Sequence, residues 1–118
     1  MNAHATYVQW QGSYALARQE AHMQEKDILV LLVQKKNQHI NKIIQESFMD
    51  QAYIAKLNQK FVAVIVEKGA AQSYPIELLY TQVFPSLFFL SHDELFLCKP
   101  LEGKITPAKI EEKLLECN

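Results

Sequence analysis

Two short apolar runs, and the amphipathic segments around them, organise this chain. Ile28, Leu29, Val30, Leu31, Leu32 and Val33 form the first run, and Phe61, Val62, Ala63, Val64, Ile65 and Val66 the second. Each is too short for a helix buried all round and fits a strand covered on both faces. The second is also rich in β-branched residues. Before the first run, Ser13 suits a helix N-cap, with Tyr14, Ala17 and Ala21 on one face, Arg18, Glu20 and Gln24 elsewhere, and an end near Glu25. Between the runs, Ile40, Ile43, Ile44, Ser47 and Phe48 recur at helical spacing, with Asn41, Lys42, Gln45 and Glu46 facing away. Asp50 is placed to cap a short further helix that turns Tyr53, Ile54 and Leu57 inward. Two buried strands joined through helices predict a parallel pair with a right-handed crossover.

Beyond the second run, residues 68–73 read as a loop, and Pro75 as the first turn of a short helix through Leu78, Leu79 and Tyr80. Residues 86–90 give a third strand, His92, Asp93 and Glu94 a turn, and residues 95–99 its hairpin partner. Thr106 and Pro107 supply a cap followed by proline at the first helical position, and Ile110, Leu114 and Leu115 form the buried stripe of a last helix. There is no internal repeat, so one domain is expected over residues 6–117, after a tail of residues 1–5. The order of elements predicts an α/β fold: a three-layer α/β/α sandwich on a mixed four-stranded sheet, closed by a hairpin and a helix.

Composition removes several classes of function. Lys and Arg number 12 against 13 Asp and Glu, a formal net charge of −1. Nothing there draws the chain to a phosphate backbone, and no nucleic-acid partner is expected. The apolar runs fall far short of a membrane span. With three glycines there is no glycine-rich phosphate loop. Asp93 and Glu94 are sequence neighbours in a turn rather than a carboxylate pair across a cleft. Two cysteines, Cys98 and Cys117, are too few for a disulfide framework or a cysteine zinc site. Ala3-His4-Ala5 has the small-x-small spacing of a signal-cleavage site, without an apolar core or basic start before it; it is either an export remnant or chance.

Several residues stand in register with a known family. Trp10 is followed by Tyr14, Ala17 and Ala21, then by the first apolar run, Phe48-Met49-Asp50, the second run, and Phe84-Pro85-Ser86 leading into Leu87, Phe88, Phe89 and Leu90. With the element order, this resembles the thioredoxin-like superfamily, and particularly the thioredoxin-related group that opens with a tryptophan and an alanine-rich helix. The similarity runs over nearly the whole chain. It implies the thioredoxin fold and tips the location towards the periplasm or export, with the cytoplasm as the alternative. The departure from the pattern lies where the family does its chemistry. The Cys-x-x-Cys pair falls on Asn37 and Ile40, in Asn37-Gln38-His39-Ile40. Disulfide exchange needs one thiolate to attack and a second thiol to resolve the mixed disulfide. An amide and an alkyl group do neither, so no dithiol oxidoreductase activity is expected at that position.

What remains there is shape and polarity. A helix start at Asn37 beside Lys35 and Lys36 offers N–H groups and partial positive charge to a carboxylate, phosphate or acidic peptide; the plainer reading is a capped helix end with solvated lysines. The resemblance also implies a cis peptide bond before Pro85, facing that helix, with the backbone of Phe84 pairing with an extended client. Lys35, Lys36, Asn37, Gln38, His39, Phe84 and Pro85 are therefore the candidate partner-binding residues, and Trp10 leans towards packing. His39 in a first helical turn suits a neutral base or a metal ligand, but His4, His22 and His92 show no ligand spacing. No metal and no cofactor are expected.

Cys98 is expected in the last strand as a small buried residue, and Cys117 exposed at the end of the last helix. A disulfide joins them if the chain is exported and the helix end folds back on that strand. Three functions follow. The first is a redox-inactive thioredoxin-fold binding module, holding a protein or peptide client on the face formed by the Asn37 helix start and the Phe84–Pro85 loop. The alternatives are a thiol-dependent redox protein using Cys98 or Cys117 as a single reactive thiol, and a homodimerising structural domain.

Overall fold

A computed structural model describes residues 7–34, 39–68, 78 and 81–117. Strand β1 (Trp10–Gln11) leads to helix α1 (Tyr14–Gln24), β2 (Asp27–Val33), α2 (Ile40–Ser47), α3 (Ile54–Lys60), β3 (Phe61–Glu67), β4 (Ser86–Leu90), β5 (Leu101–Glu102) and α4 (Pro107–Glu116). The five strands make one sheet in the order β1-β3-β2-β4-β5. Strands β1, β3 and β2 are parallel, and β4 and β5 are added antiparallel. The mixed α/β sheet is the one expected, with five strands in place of four. The additional strand is β1, where Trp10 pairs with Ala63 and Gln11 with Val64. Two residues cannot display a strand period, so the hydrophobic pattern carried no trace of it.

Strand β2 lies centrally because both of its faces are apolar. Leu29, Leu31 and Val33 point into a cluster with Phe48, Ile54, Leu57, Phe61, Phe89, Ile110 and Leu114. Ile28, Val30 and Leu32 point the other way, among Tyr14, Ala17, Ala21, Val62, Val64 and Phe88. Helix α1 begins where Ser13 Oγ accepts a hydrogen bond from the Leu16 N–H at 3.2 Å and ends at Glu25, which takes the left-handed conformation. The absence of bulk at the fully buried Ala17 and Ala21 lets it lie close on the sheet.

Four local expectations are corrected. Helix α2 starts at Ile40, with His39 at its N-cap making no side-chain cap bond, rather than at Asn37; its start coincides with the first apolar residue of its stripe. Asp50 has φ 58° and does not cap α3, whose N-cap is Tyr53; Asp is among the few residues that tolerate the left-handed region. Leu115 is 75% exposed, because it sits about 140° around the helix from Ile110. The return after β4 is not a plain hairpin over residues 95–99. Phe96 bridges to Leu90, and β5 then pairs Leu101 with Leu87 and Glu102 with Ser86. Three steps along β4 thus face five on the returning chain, and the surplus forms a bulge that contains Cys98. Pro100, with no N–H to give a ladder, favours that break. The expected tail of residues 1–5, Ala3-His4-Ala5, and the loop and helix expected over residues 69–80 lie outside the described residues, except for Leu78, which is helical and buried.

One buried polar group ties α2 to α3. The Tyr53 hydroxyl donates to the Ser47 carbonyl at 2.6 Å, and its pKa is pushed up from the ordinary 10.0 to about 12 by burial and by the Glu111 carboxylate. Below pH 10 the phenol is neutral whether or not the chain is folded. As pH rises from 10 towards 12, the unfolded chain ionises first and stability is lost. The expected loss over that interval is roughly 2–3 kcal/mol. Urea unfolding at pH 9 and pH 12, compared with the same pair for Tyr53→Phe, measures it; an equal decline in the two proteins refutes the assignment to Tyr53.

Candidate functional site

Helix α4 is aimed by its two ends. At its start the Thr106 hydroxyl accepts from the Lys109 N–H at 3.3 Å, Pro107 fills the first turn, and Ser47 Oγ donates to the Ile105 carbonyl at 3.2 Å. Ile110 and Leu114 then pack under the sheet. At its end the Cys117 N–H donates to the Lys113 carbonyl at 2.7 Å, and the Lys60 ammonium donates to the Cys117 carbonyl at 2.6 Å. Cys117 is fully buried rather than exposed: three residues past Leu114 and seven past Ile110, it continues their stripe. Cys98 sits in the bulge between β4 and β5, where the Leu97 N–H donates to the Phe89 carbonyl at 2.8 Å. It keeps partial solvent exposure rather than being buried. The two sulfurs are bonded to each other, with Cα atoms 5.4 Å apart, inside the normal range for a disulfide. Both cysteines of the sequence are thus in one bridge, and neither is a free thiol.

Of the residues singled out around the family motif, His39, Phe84 and Pro85 are among the described residues. Lys35, Lys36, Asn37 and Gln38 are outside the described residues. His39 is exposed at the N-cap of α2. The Phe84–Pro85 peptide bond is cis, the Pro85 carbonyl accepts from the Gly103 N–H at 2.7 Å, and Ser86 Oγ donates to the Val83 carbonyl at 2.7 Å. The Lys68 ammonium stands 5.5 Å from the Phe84 ring centre and donates to the Thr81 carbonyl at 2.6 Å. A cleft of about 280 Å³ opens nearby between α2 and the ends of β2 and β3, lined by Val33, Ile40, Ile44 and Ile65 among others. Trp10 packs edge-on against Phe48 at 5.2 Å, as a packing residue does.

Register shows how far apart the two regions are. Ser86, next to Pro85, pairs with Leu32 near the end of β2. Lys60, which holds Cys117, precedes Phe61, and Phe61 pairs with Asp27 at the start of β2. Five residues of strand separate those positions, roughly 16 Å along the sheet. The disulfide and the cis-proline loop therefore sit towards opposite ends of the molecule. Among the described residues, no group of three or more His, Cys, Asp or Glu side chains comes together to hold a metal ion.

Similarity to solved structures runs over most of the chain. An oxidoreductase, DsbH, superposes with a TM-score of 0.68 at 16% identity, covering 99% of this chain and 91% of its own. A Bacteroides thetaiotaomicron protein proposed as a disulphide isomerase superposes with a TM-score of 0.74 at 17% identity, covering 95% and 93%. The C-terminal domain of Neisseria meningitidis DsbD in its oxidised form gives 0.60 at 12% identity, covering 88% and 91%. The fold is thioredoxin-like. No family model and no curated protein matches the sequence.

The reading of this thioredoxin-like chain as a redox-inactive binding module is corrected here. It rested on the missing Cys-x-x-Cys pair, but a disulfide is itself a two-electron acceptor wherever it stands, and this chain carries one. Of the structures it superposes on, one is named an oxidoreductase and another is proposed as a disulphide isomerase. The residues that sequence reasoning passed over are Lys60, which holds the Cys117 backbone, and Cys117 as a buried group. Cys117's place at the next stripe position after Ile110 and Leu114 was the signal available; for Lys60 no local signal exists. Among the described residues no helix is long and apolar enough to cross a membrane.

Proposed function

We propose that this protein is a thiol-redox protein whose reversible element is the Cys98–Cys117 pair. The observation that carries the proposal is a single disulfide, 19 residues apart in sequence, pinning the end of a helix to a bulge on a thioredoxin-like sheet. In the oxidised form the bridge accepts two electrons and two protons from a dithiol partner, which leaves as a disulfide; the reverse transfer re-forms the bridge. Disulfides persist in oxidising compartments, so the proposal includes an exported, periplasmic location. It also includes membership of the thioredoxin-related group, with Asn37-Gln38-His39-Ile40 standing at the position of that group's cysteines. The partner is a protein bearing a dithiol or a disulfide, and Lys35, Lys36, Asn37, Gln38, His39, Phe84 and Pro85 are proposed as its secondary contact.

The test is reversible reduction of the folded protein. After equilibration with dithiothreitol and trapping with a mass-adding alkylating reagent, two thiols are expected to appear together, and to disappear again on removal of the reductant. The wild type is expected to speed exchange between a reduced and a disulfide-bearing protein pair, and the Cys98→Ala/Cys117→Ala variant to leave the rate at that of buffer. A bridge that opens only in denaturant defeats the proposal.

A further inference from the structure

We propose that external thiols attack this disulfide at the Cys98 sulfur, with Cys117 serving as the buried thiol that closes the bridge again. The inference rests on the thiol-redox reading above and deepens it by giving the two sulfurs different roles. Exchange requires the incoming thiolate to reach the sulfur it attacks, so access decides between the two. Cys117 has 0% of its surface in solvent and lies in the same apolar cluster as Phe61, Phe89, Ile110 and Leu114. Its backbone is tied at both its N–H and its carbonyl, by Lys113 and Lys60. Cys98 lies in the bulge, packs at the edge of that cluster but keeps partial solvent exposure, and is followed by the exposed Lys99.

Charge points the same way. Cys117 ends α4, where the helix dipole places partial negative charge, and an approaching thiolate is repelled there. Lys99 beside Cys98 attracts it instead. In the step itself, the external sulfur bonds to Cys98 Sγ, the Cys98–Cys117 bond breaks, and its electron pair passes to Cys117 Sγ, which takes a proton from water. A second external thiolate then attacks the external sulfur of the mixed disulfide and releases Cys98 as the second thiol. The balance is one protein disulfide and two external thiols giving one protein dithiol and one external disulfide.

The wild-type protein in its oxidised form is the first sample. Brief exposure to reduced glutathione, quenching in acid, unfolding, alkylation and peptide mapping locate the mixed disulfide, since cleavage after Lys104 and Lys113 separates the cysteines. Glutathione is expected on Cys98 and the alkyl group on Cys117, the reverse pattern being rarer by about tenfold or more. As a second readout, folded Cys117→Ser is expected to form a lasting glutathione adduct on exposure to oxidised glutathione, and folded Cys98→Ser to form it about tenfold or more slowly. Equal labelling of the two cysteines, or adduct chiefly on Cys117, overturns the inference while leaving the thiol-redox reading standing. Failure of any thiol to open the bridge in the folded protein overturns that reading, and this inference with it.

Discussion

Opening the Cys98–Cys117 bridge lowers folding stability by about 3 kcal/mol. The bonded residues are 19 apart, and closing a loop of that length removes about 11 cal/mol/K of entropy from the unfolded chain in the chain-entropy account, which is about 3 kcal/mol at 25 °C. For a chain of this size the melting temperature falls by roughly 10 °C. The effect acts through the unfolded state, so reduction and the Cys98→Ala/Cys117→Ala variant are expected to agree to within about 1 kcal/mol. Thermal unfolding followed by far-UV circular dichroism, with and without reductant, measures the difference. A wild-type melt that stays put although both thiols have been shown free by alkylation refutes the prediction. The same loss makes the reduced state the looser one, with the end of α4 still held by the Lys60 hydrogen bond and its apolar stripe.

Phe89→Ala is expected to cost about 3–5 kcal/mol, the range for removing a buried aromatic side chain and leaving its cavity behind. Phe89 is 1% exposed and lies on β4, paired with Leu29 of the central strand. Its ring meets Phe61 edge-on at 5.8 Å, and its carbonyl takes the Leu97 N–H at 2.8 Å. It therefore supports the bulge that presents Cys98 as well as the core beneath the disulfide. Urea unfolding should show a lower midpoint with an unchanged slope, the sign of lost stability without a new unfolded state. Met23→Ala, on a side chain 70% exposed on the outer face of α1, serves as the control and is expected to change stability by less than about 0.5 kcal/mol. Similar midpoints for the two variants would show that Phe89 does not bear on the core as described.

The sequence alone determined the elements whose pattern is local and long enough to repeat. The runs at β2 and β3, the Ser13 and Thr106 caps, and the stripe of Tyr14, Ala17 and Ala21 follow from side-chain periods and capping chemistry within a few neighbouring residues. The α/β class and the central place of β2 follow in turn, because a strand apolar on both faces must be covered on both. Tertiary structure decided what depends on residues far apart in the chain. The pairing of Trp10 with Ala63, the bulge that holds Cys98 and the reach of Lys60 to the Cys117 carbonyl all arise from register and helix placement, which no local pattern encodes. The absence of a Cys-x-x-Cys pair was legible from the sequence. The bridge between Cys98 and Cys117 needed a helix end and a strand bulge to be brought within 5.4 Å, a distance only the folded chain sets.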